Sequence, residues 1–420
     1  MQSVQSMEPD KNKVFRLQGK LRYYDWGGTS FLSELLQIPN PEKKPFAEYW
    51  MGAHETASSQ IIVSSGDPVP LNEYTRAFAK STLGDEVARQ FGQLPYLLKI
   101  LDVRQMLSIQ VHPSKKNAEI EFSEENERGI ALTSAERNYK DRNHKPELML
   151  ALSEFWLLHG FKPAVQLLRV FEGNPELYFL SGVFEKQGYE GLYRTVMQME
   201  QSQINRILDP LINRLLPADD NHLISKEQEG FWVARAAREF TKDGNIDRGI
   251  FSIYFFNLLN LHPGNAIFQD AGLPHAYLEG QNIEIMANSD NVLRGGLSSK
   301  HIDVNELMKH IQFKETIPSV LQGMKTQDHF QVFPTPAPDF ELSRVLLSEG
   351  QNVRLKSVSA EIYFIMEGHI VFKENLQNQF SRRRGEAFIS FDQAAFALEA
   401  KEDSILFKAA VPWANQARGI

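Results

Sequence analysis

The spacing of apolar side chains divides this chain into regions of different predicted structure. Between residues 14 and 160 the sequence forms short apolar runs that proline and glycine interrupt, which is typical of strands. The clearest of these runs read LPYLLKILDV and MLSIQVHP. The segment after them, SKKNAEIEFSEENERGI, is highly charged and predicts a solvated helix.

The spacing changes to three and four residues between residues 161 and 245, which predicts amphipathic helices. The runs concerned are AVQLLRVFEGNPELYFL, GYEGLYRTVMQMEQSQINRILDPLINRLL and EGFWVARAAREF. Strand-like sequence returns from residue 246, and HIDVNELMKHI predicts a short helix with Asp303 as its N-cap. The last 90 residues again predict short strands, with turns at Gly350, Gly368 and Gly385.

These regions together predict a mainly β protein with a helical insertion. Many short strands on both sides of a helical block favour antiparallel sandwiches or jelly rolls over a parallel α/β sheet. We predict a disordered tail over 1–13, a discontinuous β domain over 14–160 and 246–330, a helical insertion over 161–245, and a C-terminal β domain over 331–420.

Composition narrows the possible chemistry. The chain has 420 residues, with 45 basic and 53 acidic side chains and a net charge of −8, so a general nucleic-acid or membrane-surface role is not expected. Cysteine is absent, which excludes disulfides and thiolate metal sites. The N-terminus is polar and no run of about 20 apolar residues occurs, so we expect a soluble cytoplasmic protein.

Three segments combine strand-like alternation with polar side chains. Because alternate residues of a strand share a face, each segment groups its own set on one side: Ser108, Gln110 and His112; Lys145 and Glu147; His275, Tyr277 and Glu279. Two imidazoles, a carboxylate and an amide oxygen would suit Zn²⁺ in a site without thiolates. A histidine on a strand is more often a hydrogen-bonded structural residue, so spacing alone leaves both interpretations open.

Five collinear segments resemble type I phosphomannose isomerases. They read YYDWGG, AEYWMGAHETASS, LPYLLKILDVRQMLSIQVHPSKKNAE, NHKPELMLAL and PHAYLEGQNIEIMANSDNVLRGGLSSKHID. The resemblance implies a cupin enzyme with jelly-roll barrels that interconverts mannose 6-phosphate and fructose 6-phosphate using one zinc ion per chain. It implies zinc ligands at Gln110, His112, Glu147 and His275, and an active-site arginine at Arg294.

Two departures from the family pattern stand out. The chain reads RGGLSSK where many members read RAGLTPK, so Gly295, Ser298 and Ser299 alter the loop beyond the arginine. The segment GEAFISFDQAAFALEA carries no histidine where a cupin would place a metal ligand. We therefore expect a structural, cupin-like C-terminal domain.

Aldose–ketose isomerisation needs a base, a group that stabilises the oxyanion, and an anchor for the phosphate. The candidates for the first two roles are Lys145, Arg294, Tyr277, Asp290 and Glu279. The candidates for substrate binding are Ser108, Lys99, Trp26, Glu48 and His144, the last also as a proton carrier. Lys99 interrupts an apolar strand, which is costly unless the ammonium is paired or useful, although an edge strand would also explain it.

Two other classes of function remain open at this point. A different cupin enzyme, such as an oxygenase or an epimerase, could use the same ligands, and a sugar-phosphate-binding module could have lost catalysis. The oligomeric state is not predicted, although a monomer is compatible with the sequence.

Overall fold

This computed structural model is rich in antiparallel sheet and carries several helices, and it describes residues 8–327 and 329–412. The strands are β1 Val14–Gln18, β2 Lys20–Arg22, β3 Glu48–Gly52, β4 Gln60–Ile62, β5 Pro68–Pro70, β6 Tyr96–Val103, β7 Gln110–Val111, β8 Glu147–Ala151, β9 Phe155–Phe161, β10 Phe256–Leu261, β11 Ala266–Gln269, β12 His275–Ala287, β13 Leu293–Arg294, β14 Met324–Gln327, β15 Phe330–Phe333, β16 Glu341–Leu347, β17 Asn352–Lys356, β18 Glu361–Glu367, β19 His369–Lys373, β20 Gln379–Arg383, β21 Ala387–Ser390, β22 Ala395–Ala400 and β23 Ser404–Ala410. The helices are α1 Phe31–Leu35, α2 Leu71–Ala77, α3 Ala79–Leu83, α4 Asp85–Phe91, α5 Lys115–Glu127, α6 Ala164–Gly173, α7 Phe179–Met197, α8 Gln201–Asp220, α9 Glu229–Phe240, α10 Ile250–Phe255 and α11 Val304–His310.

The ten-stranded sheet is organised around β12. The first part of β12 pairs with β7 and β9, and the part from Gly280 onward pairs with β6 and β8. Between them lies a register shift at Tyr277–Glu279, followed by Gly280 with φ +128°. A Cβ at Gly280 would lie 2.5 Å from the carbonyl oxygen of Glu154, so both the backbone angle and the close approach require glycine. One long strand can thereby serve two groups of partners.

A nine-stranded sheet and a four-stranded sheet form the second β unit. The larger sheet runs β14-β15-β16-β23-β18-β21-β1-β4-β5, and the smaller runs β17-β22-β19-β20. Residues of both sheets share one hydrophobic cluster, which includes Tyr363, Phe372, Phe388 and Phe396. This packing of apolar faces is typical of a sandwich of two sheets.

Strand pairing departs from the predicted domain boundaries. The strands β1, β4 and β5 were assigned to the first β domain, and β14 precedes residue 331, yet all four belong to the sheet of the C-terminal region. Alternation along a strand shows which side chains are buried but does not identify the hydrogen-bonded neighbour. The sequence pattern therefore could not assign these strands to a sheet.

The predicted helices between residues 161 and 245 are present as α6 to α9. Their apolar residues, such as Phe171, Leu208 and Trp232, pack in one cluster with Trp156 and Phe161 of β9. The helical block is thus continuous with the hydrophobic core beside the ten-stranded sheet. No helix in the described ranges is long and apolar enough to cross a bilayer.

The first 13 residues were predicted to be a disordered tail, and residues 1–7 of that tail lie outside the described residues. The remaining part is held in place, which contradicts the prediction there. The Asp10 carboxylate accepts hydrogen bonds from the backbone N–H (2.7 Å) and Oγ (2.7 Å) of Ser64, and the Lys13 backbone donates to Glu374. These partners are more than 50 residues away in sequence, so the polar composition of the segment did not indicate them.

The predicted N-cap of α11 is confirmed, because Asp303 Oδ1 accepts a hydrogen bond from the Glu306 backbone N–H at 2.9 Å. We expect Asp303→Ala to lower the free energy of unfolding by about 1 kcal/mol, since that N–H loses its partner. Urea denaturation of the two proteins measures the difference. Asp303→Asn retains an acceptor oxygen and should lose less than half as much. Equal losses in both variants would contradict a capping role.

Candidate metal centre and active site

Three buried side chains converge where β7, β8 and β12 begin or end. His112 follows β7, Glu147 begins β8 and His275 begins β12. His112 Nε2 lies 3.4 Å from Glu147 Oε1, and His275 Nε2 lies 3.3 Å from Glu147 Oε2. In the register of β7 and β12, Gln110 is directly opposite His275. The side chains of three sequence-distant segments therefore meet at one point.

The hydrogen bonds of the two imidazoles favour metal binding. His112 Nδ1 is 2.8 Å from the carbonyl oxygen of Asn291, and His275 Nδ1 is 3.0 Å from that of Leu273. A carbonyl only accepts, so each Nδ1 carries the proton and each Nε2 presents a lone pair toward Glu147. His112 Nε2 is buried without a hydrogen bond. Four acceptor atoms that face one another in this way fit a divalent cation.

The protonation states of His112 and Glu147 suit metal binding, for different reasons. For His112 the reason is burial. It lowers the pKa of His112 to about 4, so the imidazole is neutral at pH 7. Burial opposes ionisation of Glu147, but the charge of Lys145 helps to hold the pKa of that carboxyl well below its usual range. The Lys145 ammonium lies 3.4 Å from Glu147 Oε1. Neutral imidazoles and a charged carboxylate are the forms that bind Zn²⁺.

A second group of acidic and imidazole side chains lies between α5 and α11 and has different partners. Glu121, Glu306 and His310 approach one another there. The Lys309 ammonium is 2.7 Å from Glu306 and 3.4 Å from Glu121, and the Tyr139 hydroxyl donates to Glu306. Because Lys309 already supplies a cation, this group is a hydrogen-bonded network linking two helices.

Glu147 and His275 line a cavity of about 880 Å³, and the fully buried His112 contacts Glu147 from behind its wall. The predicted site residues that line it are Trp26, Glu48, Lys99, Ser108, Gln110, Lys145, Glu147, His275, Tyr277, Asp290 and Arg294. A volume of this size admits a molecule as large as a sugar phosphate. These residues combine cations with aromatic surfaces, which suits an anionic, partly apolar ligand.

Lys99 lies on a central strand, so the edge-strand explanation is wrong. Its strand β6 is flanked by β12 and β3, and its ammonium is 3.2 Å from Glu284. Burial alone would lower the pKa of Lys99, but the carboxylates of Glu284 and Glu48 raise it above its ordinary value. The Tyr277 hydroxyl donates to Glu284 at 2.8 Å. Lys99 is therefore a buried, permanently charged group held at the cavity wall.

Glu284 is a site residue that the sequence reasoning missed. It is buried, lines the cavity, and holds both Lys99 and Tyr277. Burial, together with the charge of Glu147, raises the pKa of this carboxyl. The signal was available in the segment NIEIMA, where a carboxylate interrupts an apolar strand as Lys99 does in its own strand. Lys300 also lines the cavity and was likewise missed.

Asp290 and Arg294 also line the cavity. Asp290 Oδ2 is 3.2 Å from Nε2 of His54. Burial opposes ionisation of Asp290, but the contact with His54 helps to keep the pKa of this carboxyl below its usual value. Arg294 pairs with Gln110 in the register of β13 and β7, and burial lowers the pKa of its guanidinium. His54 thus orients one of the predicted acidic groups.

Among the residues predicted for catalysis and substrate binding, two do not line the cavity. The register shift in β12 turns Glu279 out of the alternation with His275 and Tyr277, and its carboxylate forms ion pairs with Lys226 and Arg235. Burial opposes ionisation of Glu279, but these two cations lower its pKa. A carboxylate engaged by two cations outside the cavity does not act as the base. The assumed regular alternation was wrong at this bulge.

His144 also differs from its predicted placement. Its Nε2 lies 2.8 Å from Asp339 Oδ2, and Asp339 is buried in the C-terminal part of the chain. The side chain adjoins Lys145 in sequence but is absent from the residues that line the cavity. A direct contact between His144 and the substrate is therefore not supported. The hydrogen bond to Asp339, 195 residues away in sequence, explains the orientation of the imidazole.

The predicted strand MLSIQVHP is much shorter than its pattern indicated. Only Gln110 and Val111 of this segment form ladder pairs, as β7. Ser108 lines the cavity from the loop before β7, whereas Ile109 and Val111 are buried in the neighbouring core. The alternation of faces is thus preserved without a continuous ladder.

Burial of His159 makes the protein less stable in acid. Burial, with a smaller contribution from His275, lowers the pKa of His159 to about 4, below its ordinary value of 6.5. The unfolded chain therefore takes up this proton before the folded chain does, so stability falls as the pH decreases from 6.5 toward 4. At pH 5 this effect lowers the free energy of unfolding by about 2 kcal/mol. Urea denaturation of the metal-free protein at pH 7 and pH 5 should show a smaller difference in His159→Gln than in the parent, and an unchanged difference would contradict this origin.

Comparisons with known proteins agree with this geometry. Residues 14–164 match the model of the phosphomannose isomerase type I catalytic domain. Mannose-6-phosphate isomerase of Salmonella typhimurium is 37% identical over 385 residues, covering 90% of this chain and 95% of that protein. The Arabidopsis thaliana mannose-6-phosphate isomerase 1 is 32% identical and covers 86% of this chain and 85% of its own length.

Solved structures give the same relationship in three dimensions. A phosphomannose isomerase structure from Salmonella typhimurium superposes with a TM-score of 0.85 at 32% identity, covering 95% of this chain and 99% of that one. Another from the same organism, described as bound to substrate and a zinc atom, has a TM-score of 0.83 at 32% identity, with the same coverage of both chains. Sequence identity and overall fold extend over nearly the whole chain, which therefore belongs to the type I phosphomannose isomerase family.

Proposed function

We propose that this protein is a mannose-6-phosphate isomerase that interconverts mannose 6-phosphate and fructose 6-phosphate with one zinc ion per chain. The observation that carries the proposal is the buried group of His112, Glu147 and His275 at a cavity lined by cationic side chains. Family membership and the relative bound to substrate and zinc support the same reaction.

The residues that would hold the metal are His112, Glu147 and His275, with Gln110 as a fourth, neutral ligand. When bound, a zinc ion with such a ligand set supplies Lewis acidity that polarises a sugar oxygen. Gln110 is a neutral ligand and donates less charge than a carboxylate would, so the zinc ion would keep more of its positive charge. The buried lone pairs of the two imidazoles and the carboxylate are the physical basis of this assignment.

We assign the proton-transfer and charge-stabilising roles to groups that line the cavity. Lys145 lies beside Glu147 and can exchange a proton with the sugar carbons or hydroxyls, and Asp290 is the alternative base. Arg294 carries a charge that stabilises the oxyanion of an enediolate. Tyr277, held by Glu284, positions a hydroxyl near the substrate.

We assign phosphate and sugar binding to the remaining lining residues. Lys99 offers a fixed positive charge and Ser108 a hydroxyl, both suited to a phosphate. Trp26 and Glu48 complete the wall, where an aromatic face can cover the apolar face of a sugar. Glu48 is oriented by a hydrogen bond from Trp50 Nε1.

The finer architecture belongs to the same proposal. We describe the ten-stranded sheet as a cupin-type jelly roll and the C-terminal sandwich as a cupin-like domain without metal ligands. The helical block over 161–245 is proposed as an insertion into the first of these. A cytoplasmic location stays a prediction of the sequence.

The test is a coupled assay that detects fructose 6-phosphate formed from mannose 6-phosphate. Turnover should disappear after chelation and return when zinc is added. Turnover that persists without metal would contradict the zinc-dependent mechanism. An enzyme that stays inactive with stoichiometric zinc restored would contradict the assigned reaction.

A further inference from the structure

A second cleft lies on the junction between the two β units. It has a volume of about 610 Å³ and is lined by residues of β1, β2 and β3 and of the segment that connects β20 to β21. The single residue Gly19 separates β1, which belongs to the nine-stranded sheet, from β2, which belongs to the ten-stranded sheet. A Cβ at Gly19 would lie 2.6 Å from the carbonyl oxygen of Trp50, so the crossing requires glycine. An occupant of this cleft would contact both β units.

The charged groups of this cleft are mostly cationic. Arg16, Lys20 and Arg382 line it, and the carboxylate among its lining residues is that of Glu386. Within residues 8–327 and 329–412, the side chains of Arg16 and Lys20 form no ion pair or hydrogen bond. Arg382 does bind Glu386, at 3.0 Å, but this carboxylate is 46% exposed. The cleft therefore holds more positive charge than its own residues neutralise.

Arg382 is unusually buried for an arginine with incomplete partners. Along β20 the burial alternates, and Phe380 and Arg382 occupy its buried face. The Arg382 side chain is 10% exposed, and its Nε has no hydrogen-bond partner within the described part of the chain. A buried guanidinium with incomplete hydrogen bonding is costly, and an anion beside its charge would offset part of that cost.

The nearby charge of Arg16 makes the burial of the Arg382 charge still less favourable. The Cζ atoms of Arg16 and Arg382 lie 5.6 Å and 5.1 Å from the centre of the same Phe380 ring. Burial lowers the pKa of Arg382, and the charge of Arg16 lowers it further although Glu386 opposes this. Because both arginines line this cleft, an anion bound there would gain from both charges, and phosphate matches the planar donor geometry of a guanidinium.

The rest of the cleft is apolar. Leu36, Ile38 and Tyr49 line it, and Tyr23 reaches both this cleft and the metal cavity. Tyr23 is 57% exposed and Ile38 is 39% exposed. Apolar side chains left open beside unneutralised cations suit a ligand with a charged end and a carbon skeleton.

We propose that this cleft is a binding site for a small organic phosphate monoester, separate from the metal cavity. The phosphate group lies between Arg16 and Arg382, and the carbon skeleton lies against Ile38 and Tyr23. The site is independent of the isomerase reaction, because its charged residues belong to neither the metal ligands nor the cavity in which we place the substrate.

Calorimetric titration of the zinc-loaded full chain with adenosine 5′-monophosphate at 0.15 M salt tests the proposal. We expect one molecule to bind per chain, and Arg16→Glu to weaken binding at least about tenfold, because a repulsive charge replaces an attractive one. Arg384→Glu makes the same charge change at an exposed residue that does not line the cleft and should leave the affinity within about twofold, because salt screens exposed charges outside the site. Inorganic phosphate should bind more weakly than the nucleotide.

The variant Arg294→Ala tests whether the nucleotide binds in this cleft or in the metal cavity. It alters the cavity in which we place the substrate and should leave the nucleotide affinity unchanged. Loss of binding in Arg294→Ala with retention in Arg16→Glu would show that the nucleotide binds in the metal cavity and would overturn the proposal. Equal losses in Arg16→Glu and Arg384→Glu would indicate diffuse attraction and would also overturn it. Equal affinity for inorganic phosphate would overturn the assignment to an organic ligand.

Discussion

His275→Ala is expected to lose its zinc and its isomerase activity together. The imidazole Nε2 faces the Glu147 carboxylate at 3.3 Å, and no other side chain of the same group can move in to replace it without leaving its own hydrogen bonds. A Lewis acid contributes several kcal/mol to such a reaction, so kcat/KM should fall on the order of a thousandfold. Metal content by atomic absorption and the coupled assay measure both effects on one sample.

The matched control for this variant is His310→Gln. His310 is also buried and also belongs to a group of two carboxylates and one imidazole, but Lys309 already balances that group. We expect stoichiometric zinc and near-normal turnover in this variant, with some loss of stability. Zinc retained by His275→Ala and lost by His310→Gln would mean that the metal centre is between α5 and α11.

Lys145→Met is expected to lower kcat by about 10²- to 10⁴-fold while zinc stays bound. The ammonium lies beside Glu147 at the cavity wall, where it can donate to or accept from the reacting part of the sugar. Methionine has a similar length and no proton to exchange, so the metal ligands should keep their places. Steady-state kinetics with mannose 6-phosphate, together with metal analysis, separates the chemical step from metal binding.

Lys116→Met is the control for Lys145→Met because Lys116 is exposed on α5 and does not line the cavity. It should behave as the parent enzyme. A large rise in KM with unchanged kcat in Lys145→Met would show that Lys145 binds substrate and leaves the proton to another group. Asp290 would then be the next candidate for the base.

The elements that depend on local spacing were predictable. The helices α6 to α9 follow from a repeat of three to four residues, and the cap at Asp303 follows from one side chain and its own helix. The strand β6 likewise follows from an apolar run between turn residues. Each of these features is determined by residues within a few positions of one another, which is the range that a sequence pattern covers.

The site was predictable in part, for a similar reason. Strand alternation grouped Gln110 with His112 and Lys145 with Glu147, and the resemblance joined these to His275. The rule of strand alternation failed at Glu279, because the bulge in β12 depends on how that strand pairs with β9. The sequence analysis also missed Glu284, whose role becomes clear only from its ion pair with Lys99.

The sequence by itself determined the helices α6 to α9, the absence of thiolate chemistry, and the donor types available for a metal, but its strand-like reading was wrong at the helices α2, α3, α4 and α10. Only the tertiary structure decided that β1, β4 and β5 join the C-terminal sheet, that Lys99 lies on a central strand, and that His144 contacts Asp339. The physical reason is that side-chain spacing is a property of one segment, whereas a hydrogen-bonded neighbour, a bulge or an ion pair is a property of two segments far apart in the chain.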